Sequence, residues 1–181
     1  MVTPETLTER AQHGLEVLTD CAVCPRSCRA GRRTDAEGLA WIMRYLQHSG
    51  CENINLVTPT HVVPQILEAL ALADDVTQPI VYNTNSYDSL ETLRLLEGVI
   101  DIYLADFKFW KGEGLPYLPG VDDYGATAAE ALREMHRQVG DLEVRGDRAV
   151  RGLMVRHLVM PGGVSDTGRI MEFITGLSKD T

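Results

Sequence analysis

Four short apolar runs, each ending in polar side chains and each separated from the next by a helical pattern, constrain this chain most tightly. They are Asn-Ile-Asn-Leu-Val-Thr-Pro-Thr-His (53–61), Tyr-Asn-Thr-Asn (82–85), Asp-Ile-Tyr-Leu-Ala-Asp-Phe-Lys (101–108) and Arg-His-Leu-Val-Met-Pro-Gly (156–162). Strands alternating with helices build a parallel sheet through right-handed crossovers. Polar groups at the C-terminal ends of successive parallel strands are how (β/α) barrels assemble their sites.

The full pattern predicts a helix over 8–18, carried by Ala11, Leu15 and Leu18, and a loop-like, Arg-rich cysteine segment after it. Leu39, Ile42, Met43 and Leu46 recur at helical spacing and predict a helix over 36–48, which Gly50 stops. A strand over 53–58 leads into a helix over 61–73, where Pro64 is tolerable because it falls in the first turn. A strand over 79–82 and a helix over 86–96 follow, the latter capped by Ser86 or Asp88. The strand over 100–107 is almost continuously apolar, as parallel strands covered on both faces are. Residues 111–124 read as loop, 126–140 as helix, 149–160 as a fourth strand and 167–177 as a final helix. The expected fold class is α/β, an incomplete (β/α) barrel of about four parallel strands. Residues 1–35 form an N-terminal helix and cysteine segment, and 36–181 the partial barrel. G-x-G-x-x-G and P-loop patterns are absent, which argues against a nucleotide-binding Rossmann unit.

With 181 residues, 44% hydrophobic and 24% charged, the chain has an ordinary globular composition. No apolar stretch approaches the roughly 20 residues that span a bilayer, and 1–18 lacks a basic-then-apolar signal pattern, so the expected location is cytoplasmic. A net charge of -9 argues against a nucleic-acid partner. The basic cluster Arg26, Arg29, Arg32 and Arg33 reads as a solvated loop.

Cys21-x2-Cys24-x3-Cys28 puts three soft ligands within eight residues, which suits zinc or an iron–sulfur cluster. A fourth ligand would come from Cys51, His13 or His48; the plainer alternative is three reduced thiols. Asp106 would be costly to bury alone in so apolar a strand, and Lys108, two residues on, shares its face. Alternation sends Arg156 and His157 to opposite faces, and a buried Arg156 wants a carboxylate, for which Asp106 is a candidate. Asn83, Thr84 and Asn85 end a strand with three hydrogen-bonding side chains, as do Thr58, Thr60 and His61, although such residues also make ordinary turns and caps. The serines lack any nucleophile-elbow context.

Taken together, these strand ends and the segment Cys-Ala-Val-Cys-Pro-Arg-Ser-Cys (21–28) resemble the radical S-adenosylmethionine (SAM) family, in particular proteins similar to pyruvate formate-lyase activating enzymes. The resemblance covers 50–163 and the cysteine segment, which matches an auxiliary C-x2-C-P-R-x-C element near the family's N-terminus. It implies a [4Fe-4S] cluster and SAM as cofactors and a protein substrate as partner. It also implies SAM-binding roles for Asn83, Thr84, Asn85, Asp106, Lys108 and Arg156, with Thr58 and Thr60 standing where relatives carry a Gly-Gly-Glu-type turn. The family's C-x3-C-x2-C motif, which holds the catalytic cluster, is absent. The segment that should carry it is expected between 34 and 37, and a further strand is expected beyond Thr181. Such a chain is expected to lack radical chemistry and to self-associate through open sheet edges. The alternative is a non-catalytic remnant that binds zinc, iron or a cluster through Cys21, Cys24 and Cys28.

Overall fold

Residues 36–48 show how local signals set the elements. Asp35 sits in extended backbone and its carboxylate accepts from the N–H groups of Glu37 and Gly38, which caps the helix Ala36–His48. Gly50, at φ 79°, ends it in the left-handed region that glycine adopts without strain. The computed structural model describes residues 2–19, 35–111 and 121–179.

In chain order the elements are α1 (Pro4–Thr19), α2 (Ala36–His48), β1 (Ile54–Val57), a 3-10 turn (Thr60–Val62), α3 (Val63–Leu72), β2 (Ile80–Thr84), α4 (Leu90–Leu95) and β3 (Ile102–Phe107). Then come α5 (Tyr124–Val139), β4 (Glu143–Arg145), β5 (Arg148–His157), a 3-10 turn (Pro161–Gly163) and α6 (Thr167–Leu177). The fold is mixed α/β, with a five-stranded sheet in the order β1-β2-β3-β5-β4. The first three pairings are parallel, and β4 joins β5 antiparallel. The expected four parallel strands are therefore present, and β4 is an added antiparallel strand that was not anticipated. Glu143–Arg145 is short and exposed throughout, so no apolar alternation marked it.

The parallel strands follow one another in sequence across the sheet, without a reversal. Right-handed crossovers between such neighbours carry every connecting helix to the same face. Packing agrees: Ile54, Ile80, Tyr82, Tyr103, Ala105, Phe107 and Leu153 occupy one face by strand alternation, and all belong to the core they share with the helices. Leu7 and Ala11 of α1 and Ala40 and Met43 of α2 join that core. The opposite face carries Val57, Asn83, Leu104, Asp106, Met154 and Arg156, of which Val57 is 68% exposed. Val81 and Ile102 on this face are buried, and among the described residues it is the face away from the helix-packed core, the open face.

Two close approaches fix the frame. A β-carbon on Gly125 would lie 1.7 Å from the carbonyl oxygen of Trp110, so only glycine lets α5 sit against the end of β3. Gly152, at φ 117°, passes the backbone of Asp141 and Leu142 where β5 turns from pairing β4 to pairing β3. Among the described residues, the outer edge of β5 from Met154 to His157 has no strand partner, which leaves one of the expected open edges. No helix among the described residues is long and apolar enough to cross a membrane.

Candidate functional site

Parallel pairing of β3 and β5 sets Asp106 directly beside Arg156, and β3's pleat brings Lys108 to the same face. Asp106 Oδ1 accepts from Arg156 Nε at 2.5 Å, and Oδ2 pairs with Lys108 Nζ. The carboxylate side chain is 10% exposed, against 37% for Lys108 and 56% for Arg156. The anion is thus sealed below and the two cationic heads reach solvent above it. Burial pushes the Asp106 carboxyl upward, but the hydrogen bonds from Arg156 and Lys108 together outweigh it and hold the group below its usual range. Both carboxylate oxygens are occupied, so free donor capacity belongs to the guanidinium and the ammonium. The cluster carries one net positive charge and suits an incoming carboxylate or other anion.

Tyr124, at the start of α5, locks two strand ends together. Its hydroxyl lies 2.9 Å from the Asn85 carbonyl and 3.1 Å from that of Asp106, and it accepts from the backbone N–H of Lys108. Burial raises its pKa well above that of a free tyrosine, so it stays a neutral donor. Tyr124 falls at the end of the stretch expected as loop, and its partners lie 16, 18 and 39 residues away, beyond any local pattern.

The remaining candidates divide between the two faces. Asn83 is half-buried on the open face, in register with Val57 and Leu104. Thr84 is turned to the packed face, where it meets Asp88 at 2.5 Å. Thr60 also donates to Asp88, at 2.7 Å, and Tyr82 does so at 3.0 Å. Asp88 is 1% exposed, and burial outweighs these three hydroxyls to raise its carboxyl above the usual range. Neither Thr60 nor Thr84 therefore joins Asp106. The sequence reading offered Ser86 or Asp88 as the cap of α4, but Ser89 caps it, accepting from Thr92 N–H at 3.1 Å. Asn85 is exposed, its side chain closing a turn onto the Tyr87 N–H. Thr58 is exposed just past β1 at φ 52°, a left-handed corner, and its N–H meets the Asn83 carbonyl. Thr58 and Ser86, at φ 63°, both take this unfavourable conformation at the ends of neighbouring strands.

Arg156 and His157 do part to opposite faces. On the packed side His157 Nδ1 lies 2.6 Å from the Phe107 carbonyl and Nε2 3.0 Å from Thr167 Oγ1. A ring donating from Nδ1 and accepting at Nε2 satisfies both, tying β3, β5 and α6 together. Cys21, Cys24 and Cys28 lie outside the described residues. Of the proposed fourth ligands, Cys51 is a free thiol ahead of β1, at the end of the sheet opposite Asp106, and His48 Nδ1 is engaged with the Arg44 carbonyl. Among the described residues no group of three or more His, Cys, Asp and Glu side chains is placed to hold a metal ion. Two concavities of about 400 and 340 Å³ centre on Trp110 and do not include Asp106, Lys108 or Arg156.

The chain is similar to Uncharacterized protein MJ0674 of Methanocaldococcus jannaschii, with 35% identity over 127 residues, which is 68% of this chain and 33% of that protein. It therefore spans about a third of the length of the curated relative it matches. No family model matches the chain. No solved structure matches it either.

Proposed function

We propose that this chain is a radical SAM-type scaffold similar to pyruvate formate-lyase activating enzymes, an incomplete (β/α) barrel whose open sheet face is the inner wall. The observation that carries this reading is the Asp106–Arg156–Lys108 cluster at the C-terminal ends of adjacent parallel strands, facing the side that no connecting helix packs against. Lys108 and Arg156 would take the carboxylate of SAM, with Asp106 positioning both cations and Asn83 beside them on the same face. Tyr124 holds the ends of β2 and β3 at the spacing this requires.

The [4Fe-4S] cluster implied by the resemblance supplies the electron that cleaves SAM in that family. It needs three thiolates beside the strand ends, and the described residues provide only Cys51, at the far end of the sheet. These residues do not fit a catalytic cluster, and the chain as written is inactive in radical generation on this reading. Cys21, Cys24 and Cys28 are the residues that would hold iron or zinc. A second reading draws on the saturation of Asp106 by its own cations: a structural ion-pair group in a non-catalytic remnant.

Calorimetric titration with SAM separates the two. The first reading expects saturable binding that Lys108→Met weakens by about tenfold, or about 1.4 kcal/mol. Absence of binding at millimolar SAM, together with zinc as the bound metal, supports the second. A SAM-responsive [4Fe-4S] electron paramagnetic resonance signal after anaerobic reconstitution would overturn the claim of inactivity.

A further inference from the structure

On the helix side of the sheet, away from Asp106, a cleft of about 400 Å³ lies between α5 and α6 and has Trp110 as its floor. Trp110 stacks on Phe107 at 5.5 Å between centroids, and Phe173 meets both rings at 5.6–5.8 Å. Two arginines lie over this aromatic cluster: Arg169 with its guanidinium carbon 4.7 Å from the Trp110 centroid, and Arg133 at 4.9 Å from that of Phe173. Cation–π contact holds both groups over the rings and leaves N–H donors available beyond them. Among the described residues neither guanidinium has an ion pair or a hydrogen bond. Arg44, Arg137, Arg148 and Arg156, by contrast, each meet a carboxylate. The one acid on the lining, Glu172, is exposed and forms no ion pair with either arginine. Gly176 completes the wall, and a β-carbon there would meet nothing within 4 Å.

We propose that this cleft binds a small ligand with a flat apolar body and one anionic group, a carboxylate or a phosphate. The aromatic floor takes the body, and Arg133 and Arg169 take the anion with donors that no side chain among the described residues uses. The volume lies in the range of small-ligand sites. The site is independent of the strand-end cluster and does not rest on the reading given above.

The test is titration with naphthyl phosphate, naphthoate, naphthol and inorganic phosphate, followed by NMR of the indole N–H groups. The chain has two tryptophans, and Trp41, 64% exposed on α2, serves as the internal control. The Trp110 signal is expected to move saturably with at least one naphthyl anion while the Trp41 signal stays, and the tighter anion identifies the natural group. Replacing both arginines (R133Q with R169Q) should weaken that anion about tenfold and leave naphthol unchanged. Gly176→Leu should block all three naphthyl compounds without harming the fold, since leucine favours a helix over glycine. Equal affinity for naphthol and the anions, retention of affinity within about twofold in the double variant, or an unmoved Trp110 signal at millimolar anion would each overturn the proposal.

Discussion

Asp88 and Asp106 lie at the same end of one sheet, and their surroundings drive their protons in opposite directions. Asp88 sits on the helix-packed face with three neutral hydroxyl donors, and burial wins, raising its pKa. Asp106 sits on the open face with two cations, and the pairing wins, lowering it. Hydroxyls offset the desolvation of a carboxylate only in part; charged donors reverse it. The packed side thus spends polar residues on closing the core, and the open side keeps donors at the surface. On the proposed reading, the difference separates a structural carboxylate from one that positions two cations for a ligand.

Deleting the buried acceptor should have the largest effect. Asp88→Ala leaves Thr60, Tyr82 and Thr84 hydroxyls without their partner in a sealed space, and a loss of about 3 kcal/mol in denaturant unfolding is expected. Asp88→Asn keeps an acceptor for two of them and should cost about 1 kcal/mol. Asp106→Asn should cost about 1–2 kcal/mol, less than a fully buried pair because the cationic heads are solvated. A larger loss in Asp106→Asn than in Asp88→Ala would break the contrast.

Stability against pH sharpens it. The folded-state pKa of Asp106 is depressed, so its contribution is present at neutral pH and is lost as pH falls below the unfolded value of about 3.9. That of Asp88 is raised, so its contribution is complete below that value and is lost as pH rises through the folded pKa. In paired urea titrations, Asp106→Asn should flatten the acid limb, and Asp88→Asn should remove the decline on its alkaline side. Identical profiles for the two variants would contradict these opposite environments.

The smallest effect is expected at Tyr124→Phe. Loss of one hydroxyl shared by the ends of β2 and β3 should cost about 1 kcal/mol, and SAM affinity should fall with it because Lys108 loses a fixed backbone. Unchanged affinity would remove Tyr124 from the positioning of the site.

Where the fold was legible in the sequence, a local signal carried it. The helices Ala36–His48 and Thr167–Leu177 stand at the limits expected from the sequence pattern; the first is capped by Asp35, whereas Asp166 makes no side-chain cap to the second. The Asp106–Arg156 pairing followed from an apolar strand that could not bury a lone charge. Strand alternation also separates the residues at the end of β2. Thr84 is two residues from the core side chain Tyr82, so it shares the packed face, whereas Asn83 does not. What stayed hidden depends on long-range contacts. Asp88 resembled a helix cap until Thr60, 28 residues away, was seen to meet it. The antiparallel β4, three exposed residues long, carried no apolar pattern.

The most direct measurement titrates Lys108→Met and Asp88→Asn with SAM beside the parent chain, with unfolding measured on the same samples. The open-face account predicts an affinity about tenfold weaker in Lys108→Met with little change in stability, and an unchanged affinity in Asp88→Asn despite its lower stability. Equal affinity in Lys108→Met and the parent, or a loss confined to Asp88→Asn, would contradict the assignment of binding to the Asp106 cluster.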